Sequence, residues 1–187
     1  MNFIDKIEIG FLNLWIFTVL SFIIPTIGRL IYGSKTKKTI EKPELLPKEK
    51  ITYYCWIIIQ LILYVYSIFI PIIFDSITFY IGLIIFLIGN TINLCGNYNF
   101  NTTEQDQMVK KGMYKISRNP EYFSFFLIYL SMGLLCKSII VIVISILHLI
   151  LYQFVTNYEE RMCIKKWGNE YLIYKNNTAK NFWFILF

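Results

Sequence analysis

Histidine is almost absent from this 187-residue chain. His148 is the only one, so a histidine-based metal cluster is impossible. The four cysteines (Cys55, Cys95, Cys136, Cys163) show no Cys-x-x-Cys spacing, and three lie in or beside apolar runs. Neither a disulfide framework nor a zinc site follows, and no metal is expected. Charge is scarce as well: 16% of the residues are Asp, Glu, Lys or Arg, against a usual share of about a quarter. In their place stand 56% hydrophobic residues and a mean hydropathy of +0.53. They gather into runs of about 18 or more, which is bilayer length rather than core-helix length. A soluble globular domain, a disordered tail and a nucleic-acid-binding module are thereby excluded. The first apolar run is too long for a signal-peptide core, and no small-x-small cleavage site follows it. The composition is that of an integral membrane protein.

Five apolar segments can be drawn, predicting an all-α, polytopic helical protein. The first runs from about Gly10 to Tyr32 and contains Pro25, and the second from Tyr53 to Phe74 with Pro71 near its end. The third covers Ile77 to Cys95. The last two, Tyr122 to Leu135 and Ser138 to Val155, are separated only by Cys136-Lys137, a joint so short that it predicts an antiparallel hairpin. The net charge of +6 is explained by its placement. Seven Lys/Arg fall between Arg29 and Lys50, four between Gly96 and Glu121, and five after Val155, leaving only Lys6 and Lys137 on the other side. The positive-inside rule then puts the N-terminus outside and the C-terminus in the cytoplasm, with a second role for the basic loops in holding anionic lipid headgroups. Residues 1–95 form three helices with a basic connector. Residues 96–187 hold a loop, the hairpin and a tail, and nearly all of the polar chemistry.

Two polar stretches stand out. In Lys111-Gly112-Met113-Tyr114-Lys115-Ile116-Ser117-Arg118-Asn119-Pro120-Glu121-Tyr122, Asn119 can cap a helix, Pro120 suits its first position and Glu121 favours the positive end of the dipole. Capping leaves the spacing of Gly112, Tyr114 and Tyr122 unexplained. The second stretch, Tyr158 to Tyr174, continues the fifth span as one helix that ends near Gly168. Glu159 meets Met162 and Cys163 three and four residues on, and Glu160 meets Cys163 and Ile164. Neither glutamate has a Lys or Arg at the spacing that makes a stabilising pair within its own helix, so both call for a partner from elsewhere: Arg118 or a ligand cation.

Together the stretches resemble the isoprenylcysteine carboxyl methyltransferase and phospholipid methyltransferase superfamily. The resemblance rests on Gly112, Tyr114, Arg118, Asn119, Pro120 and Tyr122 opening the hairpin, then Glu159 and Glu160, then Trp167, Gly168, Tyr171 and Tyr174. Leu94-Cys95-Gly96-Asn97-Tyr98 answers to the family's small-residue turn after the preceding span. Asn119 stands where many members carry His, Trp167 replaces the usual Phe, and the tail lacks the customary closing proline.

The resemblance implies S-adenosylmethionine as methyl donor, bound on the cytoplasmic side, and no glycine-rich Rossmann fingerprint is present. It assigns Gly112, Tyr114, Arg118, Asn119, Pro120, Tyr122, Glu160, Tyr171 and Tyr174 to the cofactor pocket, and a catalytic role to Arg118, Glu159 and Glu160. Arg118 holds a carboxylate of the cofactor or of the acceptor. Glu159 or Glu160 receives the cofactor's ammonium or ribose hydroxyls, or orients Arg118, and the sequence does not separate these roles. His148, Tyr152 and Glu159 share a helix face, and a polar stripe within a span faces the protein interior. His148 and Tyr152 are the candidate acceptor contacts, with an ordinary hydrogen-bonded interior histidine as the plainer reading of His148. The acceptor implied is a lipophilic or lipidated molecule, first the carboxylate of an isoprenylcysteine, which needs no base, and second a phospholipid amine, which does. A steroid-reductase-type NADPH enzyme and a non-catalytic scaffold or transporter subunit are the competing classes. The orientation has a direct check. A reporter active only in the cytoplasm is expected to work when fused after Phe187 and to be silent when fused before Met1, and the reverse pattern would overturn it.

Overall fold

The computed structural model describes residues 7–32, 45–74, 76–104 and 106–182. Most of the basic connector from Gly33, and Lys6, lie outside them. Among the described residues there are six helices and no extended strand: α1 Trp15–Tyr32, α2 Pro47–Ser67, α3 Ile77–Asn101, α4 Pro120–Leu135, α5 Ile139–Trp167 and α6 Asn169–Asn177. A short 3₁₀ turn, Gly112–Lys115, precedes α4. By length and composition α2, α3 and α5 can each cross a membrane, while α1 and α4 are shorter apolar helices. The hairpin predicted from Cys136-Lys137 is α4–α5, and its joint is made by Lys137 in the left-handed region at φ 53°.

The second and third spans differ from the sequence reading. Helix α2 starts at Pro47 and ends at Ser67, so the last third of the drawn segment, Ile68 to Phe74, is not helical. Those residues run back against the start of the chain: Leu14 N–H donates to the Ile70 carbonyl, Ile72 N–H to the Leu12 carbonyl, and Asn13 Nδ2 to the Glu8 and Ile68 carbonyls. Pro71 has no N–H to give a helix, and hydrophobicity alone cannot distinguish a strap that buries Ile70 and Ile72 from a helix end. Nor is Leu94–Tyr98 a turn. It lies inside α3, which continues to Asn101. Gly96 allows close packing there rather than a bend: a Cβ on it would lie 3.3 Å from the Glu121 side chain.

Helix α3 explains how α4 approaches so closely. Gly82, Gly89 and Gly96 recur every seven residues on one face, and each meets α4. A Cβ on Gly89 would sit 3.0 Å from Ile128 Cγ1 and 3.2 Å from its backbone nitrogen. Small residues at such seams let backbones pack where lipid supplies no hydrophobic driving force between helices. Polar side chains bridge the other seams: Asn93 to Ser124 at 3.0 Å, Thr18 to Ser67 at 3.0 Å, and the hydroxyls of Tyr64 and Tyr129 at 2.8 Å. Ser76 and Ser138 cap α3 and α5 by accepting from Phe79 N–H and Val141 N–H.

The two ends of the bundle differ. The apolar core, with Leu14, Leu63, Ile70, Phe86, Met132, Leu135 and Val141, lies at the end where α1 and α5 begin and α4 stops. The opposite end gathers the last turns of α3 and α5, the start of α4, the 3₁₀ turn and α6. There α5 leaves its apolar stretch near Val155, and Arg161 grips Glu49 of α2 with both terminal nitrogens, at 2.5 and 2.6 Å.

The hairpin makes a matched test. A Cβ on Gly133 would lie 2.5 Å from Ile142 Cγ1 and 3.0 Å from the Ile142 nitrogen, so Gly133→Ala is expected to cost about 1–3 kcal/mol through overpacking. Lys137→Gly removes the left-handed strain and is expected to gain up to about 1 kcal/mol. Thermal unfolding in one detergent reads both, and shifts of the same sign would contradict this packing.

Candidate functional site

Adjacent residues on a helix point about 100° apart, and at the emerging end of α5 this gives Glu159 and Glu160 different neighbours. Glu160 is buried. Its Oε1 accepts from Arg118 Nε at 3.0 Å and Nη2 at 2.9 Å, and its Oε2 pairs with Lys175 Nζ at 2.9 Å. Arg118 Nη1 donates to two backbone carbonyls of the tail, Lys175 at 2.6 Å and Thr178 at 2.5 Å. The guanidinium fork thus faces a carboxylate on one side and the end of α6 on the other.

The chain around Arg118 is stitched to the same tail. Ser117 forms an isolated parallel bridge with Ala179, and Arg118 N–H donates to the Ala179 carbonyl at 2.9 Å. Ser117 Oγ and Asn119 Nδ2 both reach the Lys180 carbonyl at 3.1 Å. Asn119 sits at the N-cap position of α4, but its side chain makes no cap bond; its amide is spent on the tail. Pro120 takes the first helical position, where no N–H is needed. Beyond Ala179 the tail runs back along α5. Lys180 Nζ donates to the Gln153 carbonyl and Asn157 Oδ1, and Tyr152 Oη donates to Asn181 Oδ1 at 3.0 Å. Burial holds the Lys180 ammonium below the usual lysine range.

Glycines set the two turns that bring these pieces together. Gly112 has φ 56°, a backbone that favours glycine, and a Cβ on it would lie 2.2 Å from Asn99 Nδ2, so a side chain there would also displace the Asn99 amide. Gly168, at φ 52°, ends α5 where the sequence places the break and lets α6 fold back. Tyr171 of α6 is buried, and Tyr174 Oη donates to the Tyr114 carbonyl at 2.6 Å. Burial pushes the Tyr171, Tyr174 and Tyr114 phenols up, with the Glu160 charge adding to Tyr171 and the Glu121 charge to Tyr114. All three remain neutral near pH 7.

Glu159 has a different setting. Its Oε1 accepts from the Tyr122 hydroxyl, and no cation among the described residues pairs with it. Glu121 stands nearby, accepting from Tyr114 Oη at 3.3 Å. Two carboxylates and two phenols therefore face one another. The Tyr122 ring stacks on Tyr152 at 5.6 Å and an interplanar angle of 12°, and meets the indole of Trp56 at 5.7 Å. Removing a carboxylate from water without a counter-ion is costly, and this arrangement is chemically a receptor for a cation or a proton.

The residues anticipated from sequence thus fall into one cluster, with one exception. Gly112, Tyr114, Arg118, Asn119, Pro120, Tyr122, Glu159, Glu160, Tyr171 and Tyr174 meet at the polar end, and Tyr152 joins through its ring. His148 lies three turns further into α5 and is fully buried. Lys175, Asn181, Glu121 and Trp56 were not anticipated. Glu121 reads equally well as a dipole residue, and nothing in sequence brings the tail to Arg118 or α2 to Tyr122. A cavity of about 340 Å³ lies in the preceding loop, lined by Thr102, Glu104, Met108 and Lys111 among others; it touches none of the cluster.

Residues 72–170 match the family model described as phospholipid methyltransferase. No curated protein matches the chain significantly.

The hub role of Arg118 can be checked without any assay of chemistry. Arg118→Ala leaves Glu160 buried with one partner fewer and frees the tail carbonyls, an expected loss on the order of 3 kcal/mol. Limited proteolysis is expected to cut residues 169–182 rapidly in this variant and slowly in the wild type, with Arg118→Lys intermediate. Equal cleavage in all three would contradict the hub.

Proposed function

The chain belongs to the phospholipid methyltransferase family and is a membrane methyltransferase; we propose that it uses S-adenosylmethionine to methylate the amine of an amphiphile whose tail stays in the bilayer. The observation that carries this reading is Glu159, a carboxylate bonded to the Tyr122 hydroxyl beside Glu121, with aromatic faces around it and no cation on it. Such a site fits positively charged groups, the cofactor's among them. When bound, S-adenosylmethionine supplies a methyl group already activated on a sulfonium, so the protein has mainly to position, to exclude water and to move a proton.

The cofactor pocket is formed by Gly112, Tyr114, Asn119, Pro120, Tyr122, Tyr171 and Tyr174, closed by the tail. Arg118 and Glu160 act as positioning residues: they are engaged with each other, with Lys175 and with tail carbonyls. Glu159 takes the proton from the acceptor's ammonium, leaving the neutral amine as nucleophile. The Tyr122 hydroxyl orients the carboxylate for that transfer, and Trp56 and Tyr122 present ring faces that favour a cation. An isoprenylcysteine carboxylate, the first acceptor implied by sequence, needs no base but does need a free cation to hold it. The two cations nearest Glu160 are already committed, the carboxylates of Glu159 and Glu121 are the charges that act on Tyr122, and Arg29, the cation that reaches Glu121, donates to Asn97 at 3.3 Å. That balance favours the amine.

In this reading residues 96–187 carry the proton and methyl transfer, residues 1–95 frame them in the membrane and add the Trp56 ring, the five apolar segments all cross, and the site faces the cytoplasm. The test is the detergent-purified protein with labelled S-adenosylmethionine, offered aminoethyl phospholipids and a prenylcysteine analogue separately. Label is expected on the lipid amine. Glu159→Gln is expected to lower turnover about 10²–10⁴-fold, the usual reach of general-base catalysis, while retaining S-adenosylhomocysteine. Arg118→Ala and Glu160→Ala are expected to lose both. Transfer to the prenylcysteine alone would reverse the acceptor assignment, and binding of NADPH without S-adenosylhomocysteine would overturn the reaction class in favour of a reductase.

A further inference from the structure

Below the Glu159–Tyr122 pair, at the seam of α2 with α5, two buried hydrogen-bonding groups have no partner: His148 Nδ1 and Trp56 Nε1. Their rings belong to one cluster, with centroids 5.7 Å apart. On the other ring nitrogen of His148, Gln60 Nε2 approaches to 3.0 Å. With the Gln60 amide nitrogen turned to the ring, Nε2 is the acceptor and the neutral imidazole carries its proton on Nδ1, which is the tautomer that a two-donor site requires. In that tautomer both orphan groups are N–H donors. Buried donors in native proteins find an acceptor, and leaving two unmet at one place costs several times what a satisfied pair would.

The surroundings supply no oxygen for them. Tyr129 turns its ring edge-on to His148 at 4.8 Å, and its hydroxyl is engaged with Tyr64. Tyr152 gives its hydroxyl to Asn181. Ring faces carry partial negative charge, which disfavours an anion beside them, and the bilayer disfavours any bare charge. The acceptor these donors fit is an uncharged oxygen with two lone pairs. Trp56 is only partly buried, and most of its helix faces outward, with Tyr54, Ile58, Leu61 and Ile62 exposed. Both donor atoms are themselves covered behind that outward face, so an oxygen reaches them only as the side chains at the α2–α5 seam part.

We infer that Trp56 Nε1–H and His148 Nδ1–H form a two-donor subsite within the bilayer that holds a carbonyl oxygen of the acceptor amphiphile beneath its headgroup. Eleven residues of α5 separate His148 from Glu159, a rise of about 16 Å, and the Trp56 and Tyr122 rings span part of that depth. A molecule engaging both places must carry its amine at one end and a carbonyl at the start of its apolar part. Acyl-ester lipids do; their alkyl-ether counterparts and prenyl thioethers offer no carbonyl at that depth. The pair is thus a selectivity device for acyl lipids, and it rests on the proposed methylation of a lipid amine.

The test compares an aminoethyl phospholipid with ester-linked chains and its ether-linked analogue, in wild type and in Trp56→Phe, which keeps a ring and removes the donor. The wild type is expected to favour the ester by about fivefold or more in KM, as one or two net hydrogen bonds between uncharged groups give. Trp56→Phe is expected to shrink that preference, with a cooperative thermal unfolding transition in detergent as the check that the variant is folded. His148→Asn serves as a second variant. Retention of the two lipids, read by native mass spectrometry, gives the same comparison without turnover. Equal handling of ester and ether by the wild type would overturn the subsite and leave methylation standing. An ester preference that survives in both variants would also overturn it, pointing to a buried water on the two donors. Absence of methyl transfer with an ester-selective retention lost in Trp56→Phe would instead remove the amine reading and keep the subsite.

Discussion

The contact on which the polar end depends is the fork of Arg118, which holds Glu160 on one side and two carbonyls of the tail on the other. Residues more than forty positions apart in sequence meet there, from the start of α4, the end of α5 and the turn after α6. A guanidinium suits this task because its planar donors are fixed relative to one another and it stays charged in a buried setting. Lys175 completes the neutralisation of Glu160. With Glu160 so engaged, the neighbouring glutamate is left as the carboxylate that faces the aromatic cluster. The difference between the two glutamates is therefore a consequence of helix geometry and of where the tail docks.

A second constraint comes from the bilayer. Apolar side chains gain little by leaving lipid for one another, so the helices are held by close backbone approach and by hydrogen bonds between them. The heptad of Gly82, Gly89 and Gly96 brings α4 against α3 and so fixes where Pro120 and Glu121 begin. The Asn93–Ser124, Thr18–Ser67 and Tyr64–Tyr129 bonds pin the remaining seams. Because these contacts sit along the helices, the loop chemistry at the polar end rests on a rigid frame, and Gly112 and Gly168 supply the turns that a side chain would block.

Much of this was legible in sequence, for physical reasons. Bilayer-length runs gave the helices, the two-residue joint gave the α4–α5 hairpin, and Gly168 gave the end of α5. The unpaired state of Glu159 and Glu160 within their helix predicted a partner from elsewhere, and Arg118 is one. The strap Ile68–Phe74 was not legible, because an apolar run has the same composition whether it continues a helix or pairs in extended form. The stretch around Gly96 read as a turn because glycine marks both turns and close helix contacts. Asn119 read as a cap because the position is right, while its amide is turned to Lys180.

What the sequence determined by itself is the solvent, the helical class, the charge asymmetry and the inventory of reactive groups. All of these depend on composition and local spacing. Only the tertiary structure decided that Glu160 is held by Arg118 while Glu159 is not, that the tail closes on the start of α4, and that Trp56 and His148 leave two donors unmet at one seam. Those are statements about groups far apart along the chain, and no local pattern encodes which of them will share a neighbour.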